Sequence, residues 1–179
     1  MLKQGDYEVV YVIADSITAG IAVEEKTWPV LFRERHGVEV VDLSRGGDTV
    51  KTALHAVGRV TRSNALVIVE IGGNDFLSKR TPIAEFEKTL DELLTGLAVP
   101  GRRVVMMELP LPPLHNGYGM AQRRLAKRHG VVLIPKRHFA NILAPDDATV
   151  DGLHLSQKGQ DAMADMLWGI VGDAVKRGP

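Results

Sequence analysis

The sequence predicts an α/β protein, a three-layer α/β/α sandwich around a mostly parallel five-stranded sheet, made by one domain over residues 1–179. Three observations predict it. Almost wholly apolar runs over residues 9–13 and 65–71 read as strands buried on both faces, the kind found in parallel sheets. Such runs alternate with stretches of helical apolar spacing. The unusual short sequences Asp15-Ser16, Gly46-Gly47 and Gly72-Gly73-Asn74-Asp75 each follow a strand. They therefore converge on the carboxyl edge of the sheet, where open α/β folds bind their ligands.

Each element has its own signal. The first strand, Val9-Val10-Tyr11-Val12-Ile13, stops at Ala14-Asp15-Ser16, and Ile17-Thr18-Ala19-Gly20 begins a helix. Thr27 reads as the cap of the next helix, with Pro29 in its first turn and Gly37 at its end. Residues 38–43 are the second strand. A loop with two glycines leads to Asp48 or Thr49, either of which caps a helix through about Val60. Residues 65–71 form the third, central strand, and a helix over 82–97 carries Ile83, Phe86, Leu90, Leu93, Leu94 and Leu97 at helical spacing. Residues 103–108 are the fourth strand, and residues 109–119 a long loop stiffened by proline. A helix over 120–129, a strand over 131–134 and an irregular stretch lead to Asp151-Gly152-Leu153-His154, and a closing helix runs from the Ser156 cap to about Lys176. Right-handed crossovers favour a flavodoxin-like strand order.

Composition removes several classes of function. Lys plus Arg and Asp plus Glu both number 22, so the net charge is zero and neither nucleic acid nor anionic lipid is expected as a partner. The basic group Arg123, Arg124, Lys127, Arg128 and His129 reads as a solvated helix face. Cysteine is absent, which excludes disulfides, thiolate chemistry and Cys-ligated zinc. No signal-peptide pattern and no membrane-length apolar run is visible, so a cytoplasmic protein without membrane insertion, a monomer or small homo-oligomer, is expected.

The chemistry centres on Ser16. Alone, a serine after a strand reads as a helix cap. No serine here has the Gly-x-Ser-x-Gly frame of an α/β-hydrolase elbow. Asp151 and His154, three residues apart before a capped helix, can be neighbours on one turn, with Asp151 holding the ring that takes the Ser16 proton. Read singly they are a loop acid and a surface histidine. Gly47 and the Gly72-Gly73-Asn74-Asp75 loop offer backbone and side-chain donors for an oxyanion, or simply two tight turns. The order of these features, taken together, outweighs each bland reading.

The blocks Asp15-Ser16-Ile17-Thr18-Ala19-Gly20, Gly47-Asp48-Thr49, Gly72-Gly73-Asn74-Asp75 and Asp151-Gly152-Leu153-His154 resemble those of the SGNH (GDSL-type) hydrolases, nearest to the small bacterial thioesterase, lysophospholipase and arylesterase members. The resemblance implies that Ser16 is the nucleophile, that its own N–H with Gly47 and Asn74 forms the oxyanion hole, and that His154 is the base with Asp151 as its partner. It also implies neither metal nor cofactor. One departure is Ala14, where the family usually has Gly; a positive φ there would strain the chain.

The resemblance implies a small-molecule acyl ester or thioester substrate. Phe76, Leu77, Leu111, Leu114 and Tyr118 flank the site and suit an acyl groove or serve as loop anchors. A carbohydrate O-acetyl esterase, an acyltransferase with the same triad and a non-catalytic binding relative are the alternatives. A flavodoxin-like phosphate binder would want a glycine run after the first strand, which Ala14-Asp15-Ser16 does not supply.

Overall fold

The computed structural model describes residues 7–111 and 116–177. Strands β1 (Val9–Ala14), β2 (Glu39–Asp42), β3 (Ala65–Glu70), β4 (Arg102–Met107) and β5 (Val132–Ile134) form one parallel sheet in the order β2-β1-β3-β4-β5. This is the flavodoxin-like order. Parallel neighbours need crossovers, and helices α1 (Ser16–Ala19), α2 (Trp28–His36), α3 (Val50–Ala53), α4 (Gly73–Leu77), α5 (Ile83–Leu97) and α6 (Asn116–His129) occupy them; α7 (Lys136–Leu143) and α8 (Gln157–Val171) follow the last strand.

Every residue of β1 and β3 is buried. Val9, Tyr11 and Ile13 pack into one core with α3, α5 and α6, while Val10, Val12 and Ala14 pack into a second with α2, α7 and α8. Because successive side chains point to opposite faces, a strand covered on both sides must be apolar throughout. Each such aliphatic side chain contributes about 1.5–3 kcal/mol by leaving water. The sheet is thus fixed by its centre, and its carboxyl edge is a firm platform.

Four local expectations are corrected. The stretch after β5 is not irregular: α7 fills it, only eight residues long, with Phe139 and Ile142 as its buried apolar side chains and Pro135 at its N-cap position. That is too few residues to show a helical period. Helix α6 starts at Asn116 rather than 120, because the turn formers Asn116, Gly117 and Gly119 are drawn into the helix that packs on α5. The closing helix ends at Val171, followed by a single 3-10 turn (Gly172–Ala174). Thr27 sits at the N-cap position of α2 with no side-chain cap bond. Its work is done by α8: Gln160 Oε1 accepts the Trp28 N–H at 2.8 Å, and Gln157 Oε1 accepts those of Glu25 and Lys26.

Candidate active site

Ser16 is placed by the end of β1. Ala14 is the last strand residue, in register with Glu70 of β3. Asp15 then leaves the strand and caps α1, its Oδ1 accepting the Ile17 N–H at 3.1 Å. The nucleophile candidate is therefore the first residue of a helix, where backbone N–H groups have no intrahelical partner. Ala14 carries no backbone penalty. Among the described residues only Ala22 and Arg80 combine a side chain with a positive φ.

His154 and Asp151 come from the turn ahead of α8. That turn is closed by the Val150 N–H on the His154 carbonyl (2.9 Å) and by the Ser156 N–H on the Ala148 carbonyl (2.9 Å). Ser156 caps α8 through the Gly159 N–H. Asp151 Oδ1 accepts the N–H groups of Leu153 (3.0 Å) and His154 (2.8 Å), and Oδ2 lies 2.7 Å from His154 Nδ1. The His154 side-chain bond, helped by the two backbone bonds, pushes the Asp151 carboxyl down to about 2. An ionised carboxylate only accepts, so Nδ1 bears the ring hydrogen. The lone pair on Nε2 then faces Ser16 Oγ at 3.0 Å. Ser16, His154 and Asp151 form one hydrogen-bonded chain, with the His154 side chain 22% exposed.

The two glycine loops meet beside it. Gly46 passes the Ser16 side chain, a Cβ there falling 4.0 Å from Ser16 Cβ. Gly47 has φ +79°, a conformation that suits glycine, and its N–H has no protein partner among the described residues. Asn74 lies in α4 directly after β3 and donates Nδ2–H to the Asp48 carbonyl at 3.1 Å, leaving one amide hydrogen for a ligand. Buried Asp75 accepts the Val50 N–H at 2.9 Å and so ties α4 to α3. This bracing role of Asp75 was not assigned from sequence, where the residue reads only as part of a turn.

A cavity of about 510 Å³ is lined by Phe76 and Leu77, on the helix that carries Asn74, with Arg80 and Tyr118. Tyr118 stacks edge-on against Phe76 and Phe86, and its hydroxyl donates to the Thr81 carbonyl. Leu111 does not line this cavity; it packs against the core under α5 and α6. Leu114 lies outside the described residues. Arg80 was missed, because an exposed arginine in a loop carries no sequence signal. Among the described residues no group of three or more His, Asp or Glu is placed to hold a metal ion, and no helix is long and apolar enough to cross a membrane.

Comparison with known proteins gives the family. The model of the GDSL-like lipase/acylhydrolase family matches residues 15–162. The chain belongs to that family. It is an SGNH (GDSL-type) hydrolase of ester bonds. Esterase TesA of Pseudomonas aeruginosa is 23% identical over 94% of this chain and 90% of its own length. Among solved structures, the esterase EstA from Pseudoalteromonas sp., inhibited by monoethylphosphonate, superposes with a TM-score of 0.80 at 18% identity, over 92% of this chain and 97% of its own. Axe2, an acetylxylan esterase from Geobacillus stearothermophilus, gives a TM-score of 0.70 at 18% identity, over 96% and 97%. At these identities the structural likenesses carry the fold.

Proposed function

We propose that residues 1–179 work as one serine esterase domain that cleaves a carboxylic ester or thioester through an acyl-enzyme. The observation that carries this reading is the hydrogen-bonded chain Ser16 Oγ, His154 Nε2, His154 Nδ1, Asp151 Oδ2. His154 takes the Ser16 proton as Oγ attacks the acyl carbon, and Asp151 stabilises the imidazolium that forms. The oxyanion is received by the N–H groups of Ser16 and Gly47 and the Asn74 amide. Collapse of the tetrahedral intermediate expels the alcohol or thiol, which takes its proton from His154. Water, deprotonated by the same ring, then attacks the acyl-enzyme and releases the acid.

The substrate reading rests on the aromatic wall of the cavity. Phe76, Leu77 and Tyr118 suit an acyl chain of medium length on an ester or thioester. The fold likeness to an acetylxylan esterase makes acetylated carbohydrate the second reading. A panel of p-nitrophenyl esters of graded acyl length, with an acetylated xylooligosaccharide alongside, separates the two. Ser16→Ala and His154→Ala, each verified as folded, are expected to lose hydrolysis on every substrate. Turnover retained by folded Ser16→Ala contradicts the mechanism.

A further inference from the structure

Two buried carboxyl groups, Asp15 and Glu70, lie at the strand ends beside Ser16. Asp15 is 2% exposed and Glu70 1%. Glu70 closes β3 beside Ala14 of β1, so the two acids flank the strand ends from which α1 departs. Both hold α1. Asp15 caps it at the Ile17 N–H, and Glu70 Oε2 receives the Thr18 hydroxyl at 3.0 Å. The direction of that bond is fixed by Trp28, whose Nε1–H donates to Thr18 Oγ1 at 3.0 Å. Trp can only donate, so the Thr18 oxygen accepts there and its own proton is available to Glu70. Ser16 directly precedes the two anchored residues, Ile17 and Thr18.

The partners of the two acids differ. Glu70 has one neutral hydroxyl donor, no cation, and an Oε1 without a hydrogen-bond partner among the described residues. A carboxylate is costly to keep in such a setting, whereas a neutral acid is tolerated. Asp15 has the better site for charge. It accepts a backbone N–H, lies at a helix N-terminus and is within electrostatic reach of His154, although Asp48 from the loop before α3, Asp75 of α4 and Glu70 of β3 all oppose it. Asp15 Oδ2 lies 3.2 Å from where a Cβ on Gly73 would stand, so glycine there leaves room for the carboxylate.

We propose that Asp15 and Glu70 are positioning residues for the esterase reaction, Glu70 clamping α1 through Thr18 as a neutral acid and Asp15 capping it as an anion that supports the His154 imidazolium. Burial raises both carboxyls, and the charge on Asp15 raises Glu70 further, which is the order of ionisation the clamp requires. Protonation of Asp15 then lowers activity by a bounded step on the acid side of the pH profile. This rests on the reading of Ser16 and His154 given above.

The test combines a readout that needs no turnover with one that does. Carbon-13 carboxyl NMR on folded Ser16→Ala protein is expected to show Glu70 still protonated at pH 7 and Asp15 titrating well above the usual Asp range; Glu70 ionised at pH 7 overturns the proposal whatever the enzyme does. In active protein, Asp15→Asn keeps an acceptor for Ile17 and removes the charge. It is expected to lower kcat about three- to tenfold with little change in KM, and to remove from the acid side of the kcat profile the three- to tenfold step that protonation of Asp15 produces. An acid limb identical to the wild type overturns the proposal. Glu70→Ala frees Thr18 and is expected to slow kcat by up to about tenfold, and Glu70→Gln, neutral but able to accept from Thr18, to restore most of it. A Gln variant as slow as Ala means that the charge is needed, and contradicts the clamp.

Discussion

Asn74 is held by the Asp48 carbonyl with one amide hydrogen unused, which fits it to receive a charge that exists only during reaction. Asn74→Ala is expected to lower kcat by roughly 10²–10³ with a small change in KM, the scale for one oxyanion donor, as steady-state kinetics will report. Asp15 carries a prediction about stability with a definite sign. Burial lifts its carboxyl from 3.8 to about 6 in the folded chain, so the folded state bears no cost below about pH 4, a cost that grows between about pH 4 and 6, and the full cost above. Asp15→Asn is therefore expected to match the wild type near pH 4 and to exceed it by up to about 3 kcal/mol at pH 8, in urea melts at the two values. Equal stability at both contradicts the buried charge. A residue that weakens the fold and helps the reaction is a common feature of active sites.

At the scale of elements, the first turn of α2 depends on α8. Gln160 is fully buried; it accepts the Trp28 N–H and donates to the Ile17 carbonyl at 3.2 Å. Gln160→Leu keeps the volume and strands both backbone groups. A loss of about 2–4 kcal/mol in the urea midpoint analysis is expected, and a loss under about 0.5 kcal/mol means that the bonds are replaced. This contact explains what was hidden in the sequence. Thr27 marks where α2 begins, yet the group that satisfies its N-terminus is more than 130 residues away along the chain. Helix α7 escaped because eight residues show too little periodicity, and α6 was placed late because glycines inside a packed helix read as turns. By contrast α5, with six buried side chains at helical spacing, was legible to within one residue of its start.

Over the whole molecule, the legible part was what a parallel sheet imposes. Strands covered on both faces have to be apolar, and their carboxyl ends have to gather on one edge, so Ser16, Gly47 and Asn74 were predictable neighbours from strand order alone. The approach of His154 across 138 residues of chain was not a matter of strand order; it follows from the turn that Asp151 organises ahead of α8. The lining of the cavity was half legible: Phe76, Leu77 and Tyr118 come together, Leu111 goes to the core, and Arg80 enters by loop geometry that no residue pattern announces.

The central claim is that this edge holds an activated serine. Labelling with a fluorophosphonate, followed by mass spectrometry of the modified peptide, reads that property directly, since the probe requires a serine with a working base and oxyanion hole. A single adduct on Ser16, lost in His154→Ala, is the predicted result. Folded protein that takes no adduct, or one modified at another serine, contradicts the account.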